Sequence, residues 1–223
     1  MTDDATLRVL VCDDHPLFRR AVVTALEDSG MQVVAEAATG AEAVERAVDH
    51  APDVTLMDLR MPGGTGIEAT ERIRRARPWS RVLVLTVSDD LDELMAAIRA
   101  GAVGHLRKEE SMGVLPDAVR SVHMGGVVLG PALARAVRLE LDRIRRSQRD
   151  APPDPDDPGS WAPSDRQREL LDRLAEGADV PGAAAALGVD ASMARTELRA
   201  VLEGLHRRGR SEADPVEKAG DSG

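Results

Sequence analysis

Five residues in the first half of the chain have the types that phosphoryl chemistry needs: Asp13, Asp14, Asp58, Thr86 and Lys108. Three carboxylates brought close together repel one another and call for a cation. Hard oxygen ligands with coordination positions left over suit Mg2+, which keeps several waters and takes one or two carboxylates plus phosphate. A carboxylate beside that ion can attack phosphorus and form an aspartyl-phosphate. An ammonium such as Lys108 would join the metal in neutralising the transferring group, and a hydroxyl such as Thr86 could hydrogen-bond a phosphate oxygen. Taken singly, these residues are ordinary. An Asp pair after a strand is often a turn and helix cap, Asp58 precedes the loop residues Pro62, Gly63 and Gly64, and one lysine is usually a solvated charge. The chemistry depends on a fold that brings them together.

The elements around them can do so. Short apolar, β-branched runs (LRVLVC, QVVAEA, VTLMDL, RVLVLT and VGHLRK) alternate with segments of helical period near 16–29, 41–50, 66–76, 90–100 and 112–124. Nearly continuous apolar strands are those of a parallel sheet covered on both faces. Strand–helix alternation with short connections predicts an α/β fold with a doubly wound parallel sheet of five strands. Pro16 suits a first helical turn, and Gly30 and Gly101 fall where helices should stop. Such sheets bind ligands at the carboxyl ends of their strands. Strand one ends in Asp13-Asp14, strand three in Asp58, strand four in Thr86-Val87-Ser88 and strand five in Lys108. In a flavodoxin-like order these four strands are neighbours, and the five side chains converge on one crevice.

The second half is organised differently. PALARAVRLELDRIRRSQR reads as a helix with Leu133, Val137, Leu141 and Ile144 at helical spacing. DAPPDPDDPGSWAP (150–163) holds five prolines in a polar stretch and reads as an interdomain linker. SDRQRELLDRLAEG opens with Ser164 as N-cap and closes at Gly177. PGAAAALG follows, with Asp179 as cap and Gly188 as the turn, and then ASMARTELRAVLEGLHRR. Helix, glycine turn and longer helix make a small all-α helix-turn-helix unit. The expected organisation is a domain over 1–126, a helical and Pro-rich linker over 127–163, the helical domain over 164–208 and a disordered tail over 209–223.

Composition sets bounds. The 223 residues are 43% hydrophobic and 30% charged, as in a globular protein. No apolar run approaches the ~18–20 residues of a membrane span. The start MTDDATL does not read as a secretory signal, and Cys12 is the single cysteine, so neither an internal disulfide nor a cysteine metal cluster is available. A cytoplasmic protein without membrane contact is expected. The net charge of −10 is uneven: residues 1–125 carry 14 basic and 21 acidic side chains, while residues 161–210 carry 8 of each. A nucleic-acid binder usually shows a basic patch, and here the helical domain is only neutral.

The segments VLVCDDHP, LMDLRMPGGTGIEA, LTVSDD and GHLRK resemble the receiver domain of bacterial two-component response regulators of the NarL/LuxR type, over about residues 7–125. The resemblance implies that Asp58 is the phosphoacceptor. It implies that Mg2+ is held by Asp13, Asp14, Asp58 and the backbone carbonyl of Arg60, and that Thr86 and Lys108 contact the phosphoryl group. It departs at His105, where an aromatic switch residue is common, and at Val87, where a smaller residue is usual and a branched one would narrow access to Asp58. Residues 164–208 resemble the LuxR-type DNA-binding domain through Ser164, Arg166, Glu169, Leu170, Leu174, Gly177, Leu187, Gly188, Val189, Leu198, Val201 and Leu205. Arg195, Thr196 and Arg199 are the implied DNA contacts. Glu197 stands where histidine or a similar residue is usual, and residues 190–204 hold two arginines against three acidic residues. A carboxylate near phosphate is repulsive. The implied function is transcription control, with a sensor histidine kinase phosphorylating Asp58 and promoter DNA as target, as a homodimer or heterodimer. The alternative is a phosphorylation-controlled protein-interaction regulator whose helical domain does not bind DNA alone. No second catalytic constellation points to an enzyme.

Overall fold

The computed structural model describes residues 6–150 and 161–213. Strands β1 (Arg8–Cys12), β2 (Gln32–Ala37), β3 (Val54–Met57), β4 (Arg81–Thr86) and β5 (Ala102–Arg107) pair in parallel in the order β2-β1-β3-β4-β5. This is the flavodoxin-like order expected from the sequence, and it explains the apolar runs: every residue of the central β3 is buried. Helices α1 (Pro16–Asp28), α2 (Gly40–His50), α3 (Gly66–Ala76) and α4 (Leu91–Ala100) connect the strands. Their starts are set by local chemistry. The Thr39 side chain accepts from Glu42 N, Thr65 and Glu68 form a reciprocal capping box, and Asp90 accepts from the amides of Asp92 and Glu93.

Two cores flank the sheet. Val9, Val11, Leu56, Leu83 and Leu85 pack under α1 and α6 (Leu115–His123), against Val22, Leu26 and Val119. Leu10, Cys12, Met57 and Val82 face α2 and α3, against Ala43, Ala47 and Ile73. The helix read over 112–124 is α6, which starts three residues later at Leu115, and a separate single turn, α5 (Lys108–Ser111), precedes it. Pro116 in the first turn of α6 restarts the helix there. After α6 the chain runs along the open edge of β5, where His105 N donates to Val128 O (2.9 Å). Gly104 makes this approach feasible: a Cβ on it would lie 2.2 Å from Val128 O.

Helix α7 (Pro131–Asp150) buries the stripe Leu133, Val137, Leu141 and Ile144. It packs on α4 and on α8 (Asp165–Ala175), which opens with a Ser164–Gln167 capping box. Helix α9 (Val180–Ala186) is capped by Asp179 and followed by a turn at Gly188. Helix α10 (Ala191–Ala213) runs past residue 208, where periodicity placed its end. Gly209 is not a terminator but a point of close approach, since a Cβ there would lie 3.0 Å from Arg99 Cβ. Helix α10 lies along α4, and Leu198, Val201, Leu202 and Leu205 share one apolar cluster with Leu94, Met95 and Ile98. Most of the proline-rich stretch (151–160) and the end of the expected tail (214–223) lie outside the described residues.

Candidate functional site

The carboxyl ends of β1, β3, β4 and β5 form one crevice. Main-chain bonds continue the sheet one residue beyond the strands and fix two of the carboxylates: Asp13 N donates to Ala37 O (3.0 Å) and Asp58 N to Cys12 O (2.9 Å). Both side chains are buried. Lys108, at the start of α5, places Nζ 2.6 Å from Asp58 Oδ2 and 2.6 Å from Asp13 Oδ2. The Phe18 ring lies 4.9 Å from the same ammonium and covers it. Burial alone would lower the Lys108 pKa, but the hydrogen bonds and charges of Asp13 and Asp58 outweigh it and hold the ammonium above its ordinary value. Asp14 is more open, its side chain 29% exposed.

The loop after β3 is equally constrained. Gly66 N donates to Leu59 O (3.0 Å), and a Cβ on Gly66 would lie 2.0 Å from Asp58 O, so no other residue fits behind the carboxylate. Thr86, buried at the end of β4, accepts from Ser88 N (3.2 Å). The structure brings Asp13, Asp14, Asp58 and Lys108 together, and Thr86 ends the strand next to β3.

Two features were missed. His15 places Nδ1 2.8 Å from Asp14 Oδ1, and its amide donates to Asp13 Oδ1 (2.9 Å). Nothing in its helix-entry position announced this. Arg60, read only for its carbonyl, uses its guanidinium as a strut. Nη2 donates to Glu93 Oε2 (3.2 Å) and to Ser88 Oγ (3.2 Å), tying the loop after β3 to the first turn of α4. The bond to Glu93 is the largest of the influences that raise the Arg60 pKa.

Other sequence candidates lie elsewhere. His105 is half-buried on β5 and lines a groove of about 660 Å3 with Leu91, Leu94 and Leu133, away from the carboxylate cluster. Val87 is 55% exposed. On α10, Thr196 is exposed and Arg195 half-buried. Arg199 is turned toward the end of α6, where a Cβ on Gly125 would lie 2.6 Å from its Nη1. Glu197 accepts from Gln167 Nε2 (2.9 Å) and sits 3.9 Å from Arg166 Nη1, so it is held against α8.

The donor set suits a divalent cation. Ligand atoms of Asp13, Asp14, His15 and Asp58 lie within 4.8 Å of one another. Three carboxylates against one ammonium leave a net charge of about −2 when His15 is neutral. Among the described residues, Asp13 Oδ2 and Asp14 Oδ1 are buried with lone pairs to spare, with Lys108 Nζ and His15 Nδ1 close by. A hard cation would use those lone pairs.

Residues 9–120 match the model of a family described as the response regulator receiver domain. The chain belongs to the response regulators. It is 38% identical over 200 residues to the probable transcriptional regulatory protein NarL of Mycobacterium tuberculosis, covering 89% of this chain and 88% of the relative. It is 33% identical to the nitrate/nitrite response regulator protein NarP of Escherichia coli, covering 94% of both. These relatives place it in the NarL/LuxR-type branch. Among solved structures, it is similar to a LuxR-family two-component response regulator from Aurantimonas, with a TM-score of 0.56, 34% identity and coverage of 61% of this chain and 98% of that one. It is also similar to the signal receiver domain of the putative response regulator NarL from M. tuberculosis, with a TM-score of 0.52, 39% identity and coverage of 54% and 98%. No helix among the described residues of this response regulator is long and apolar enough to cross a membrane.

Proposed function

We propose that Asp58 is the phosphoacceptor of a transcription regulator whose C-terminal helices are released for promoter DNA when it is phosphorylated. The observation that carries this reading is the Lys108 ammonium held 2.6 Å from both Asp58 and Asp13 at the sheet's carboxyl edge. A sensor histidine kinase fits as donor: an Asp58 carboxylate oxygen bonds to phosphorus as the donor's phosphorus–nitrogen bond breaks. Asp13, Asp14, Asp58 and the Arg60 carbonyl would hold Mg2+, which when bound supplies positive charge to the phosphoryl oxygens.

The chain's own residues do the rest. Lys108 transfers a hydrogen bond from the Asp58 carboxylate to a phosphoryl oxygen, and the Thr86 hydroxyl donates to another. Drawing Thr86 inward pulls on Ser88, which Thr86 Oγ1 and Arg60 both contact. Arg60 and Ser88 together hold the N-terminal turn of α4. Helix α10 packs on α4. A shift at the pocket therefore biases docking of the helix that bears Arg195, Thr196 and Arg199, a population shift driven by phosphate contacts made in one state only.

Intact-protein mass spectrometry with Mg2+ and a small phosphodonor tests the acceptor. A single phosphoryl adduct that disappears in Asp58→Ala is expected. An adduct that survives the substitution moves the acceptor elsewhere, and a wild type without adduct removes the reading. Gel shifts on duplex DNA at several salt concentrations, with and without phosphodonor, test the output. Binding with a steep salt slope that strengthens on phosphorylation is expected.

A further inference from the structure

At the other end of the sheet, the amino ends of β4 and β5 face the middle of α10 across a cleft of about 200 Å3. That is far more than the roughly 10–15 Å3 a single water needs. Its lining brings cations from both halves of the chain. Arg74 comes from the end of α3, Arg81 from the start of β4 and Arg199 from α10, with Glu203 as counter-charge and His206 and Trp79 among the lining residues.

The cations are held in place. Arg74 Nη1 donates to Ser80 O (2.8 Å) and to Pro78 O, and Arg81 Nη1 donates to His123 O. Arg74 Nε is buried without a hydrogen-bond partner among the described residues. Gly101 forms part of the wall. A Cβ on it would lie 2.9 Å from Arg74 Cγ and 3.1 Å from His206 Cε1, so only glycine leaves the two side chains their places. Like charges gathered this way oppose one another. Burial first and Arg199 second lower the Arg81 pKa. Burial lowers that of Arg74, Arg81 and Arg210 add to it, and Glu203 opposes. Glu203 is shared, with its Oε1 3.7 Å from Arg199 Nε.

We infer that this cleft binds a phosphate group, free or carried on a nucleotide, and that the bound group clamps the C-terminal helices onto the receiver. Guanidinium groups from two elements of the receiver and one of α10 can each offer planar N–H pairs to one phosphate. A volume of about 200 Å3 suits a small molecule. Trp79 is 72% exposed, with Arg77 5.8 Å from its ring centroid, and it offers a surface on which a base can stack. The site is distinct from the acidic crevice at the opposite end of the strands and independent of its chemistry.

Calorimetry on the full chain tests this, with EDTA present so that metal-dependent binding at the carboxylates is silent. Pyrophosphate and ATP are the probes. Both should bind, and Arg81→Gln on the receiver and Arg199→Gln on α10 should each weaken binding about tenfold, the loss of one charge-assisted bond. Arg75→Gln, whose partner is Glu71, should change nothing. Arg81→Lys should recover part of the affinity, which separates lost contact from lost fold. Hydrogen exchange should show the ligand protecting residues 199–206 in the wild type and not in Arg199→Gln. ATP binding tighter than pyrophosphate, and weakened by Trp79→Ala, assigns a nucleotide. Equal binding of the two assigns a free oxyanion. Absence of binding at millimolar concentration, or equal affinity in all the arginine variants, overturns the inference.

Discussion

Replacing Lys108 with methionine keeps the length of the side chain and removes its charge. In the wild type the ammonium is 8% exposed and balances two buried carboxylates at 2.6 Å each. Without it, three carboxylates face one another. Removing one partner of a buried pair costs about 3–5 kcal/mol, because the remaining charge is left without compensation. The lower end, about 3 kcal/mol, applies here, since Asp14 is 29% exposed and admits water at the mouth. Mg2+ should offset much of that cost. The wild type gains stability from the ion as well, so the difference shrinks only by the ratio of the two affinities, and a site about 30-fold tighter in the variant recovers about 2 kcal/mol. Urea unfolding in EDTA and in saturating Mg2+ measures both terms. The expected outcome is a loss of about 3 kcal/mol in EDTA that shrinks to about 1 kcal/mol with Mg2+. Equal losses in the two buffers, or a loss below about 1 kcal/mol in EDTA, would refute the charge balance argued for the crevice.

Gly66→Ala would drive a methyl group to 2.0 Å from Asp58 O. It should cost about 1–3 kcal/mol by overpacking and slow phosphoryl acceptance, read by urea midpoint and adduct formation rate. His206 Nδ1 lies 2.8 Å from Arg99 O across the interface. Its pKa is lowered, by burial first and then by Arg74 and Arg210, against the Arg99 carbonyl and Glu71. The undocked helix therefore takes up the proton first. Docking should be fullest above about pH 6.5, the ordinary value, and weaken as pH falls below it, which small-angle scattering across pH 5–8 would register as expansion. Because Glu197 is turned onto α8, Glu197→Gln should leave DNA affinity nearly unchanged, while Arg195→Ala should weaken it by about 1–3 kcal/mol. Titrations at fixed salt showing the reverse ranking would put Glu197 at the groove.

The crevice was legible because its parts are coded locally. Each carboxylate follows a strand by one or two residues, and a parallel sheet in the observed order brings strand ends together without further information. The stripe Leu133, Val137, Leu141 and Ile144 was equally readable, since α-helical period marks a buried face whatever covers it. What covers it was not readable. Nothing in the spacing of Leu198, Val201, Leu202 and Leu205 says that part of their partner surface is Leu94, Met95 and Ile98 across the chain. The arginine strut from Arg60 to Glu93 spans 33 positions, and long polar side chains reach partners that periodicity does not encode. Gly209 misled for a related reason. Glycine ends a helix when it must adopt positive φ, but here it stays helical and lets the backbone of α10 come close to Arg99.

The apolar cluster that joins α4, α7, α8 and α10 makes folding of the two halves a shared event. A fragment cut after α6 would leave Leu94, Met95 and Ile98 facing solvent and would tend to self-associate, whereas the intact chain should melt in one calorimetric transition. Phosphorylation that separates the halves would also uncouple their unfolding and turn one heat-capacity peak into two. The number of peaks, read without any DNA in the cell, would report which signalling state the protein occupies.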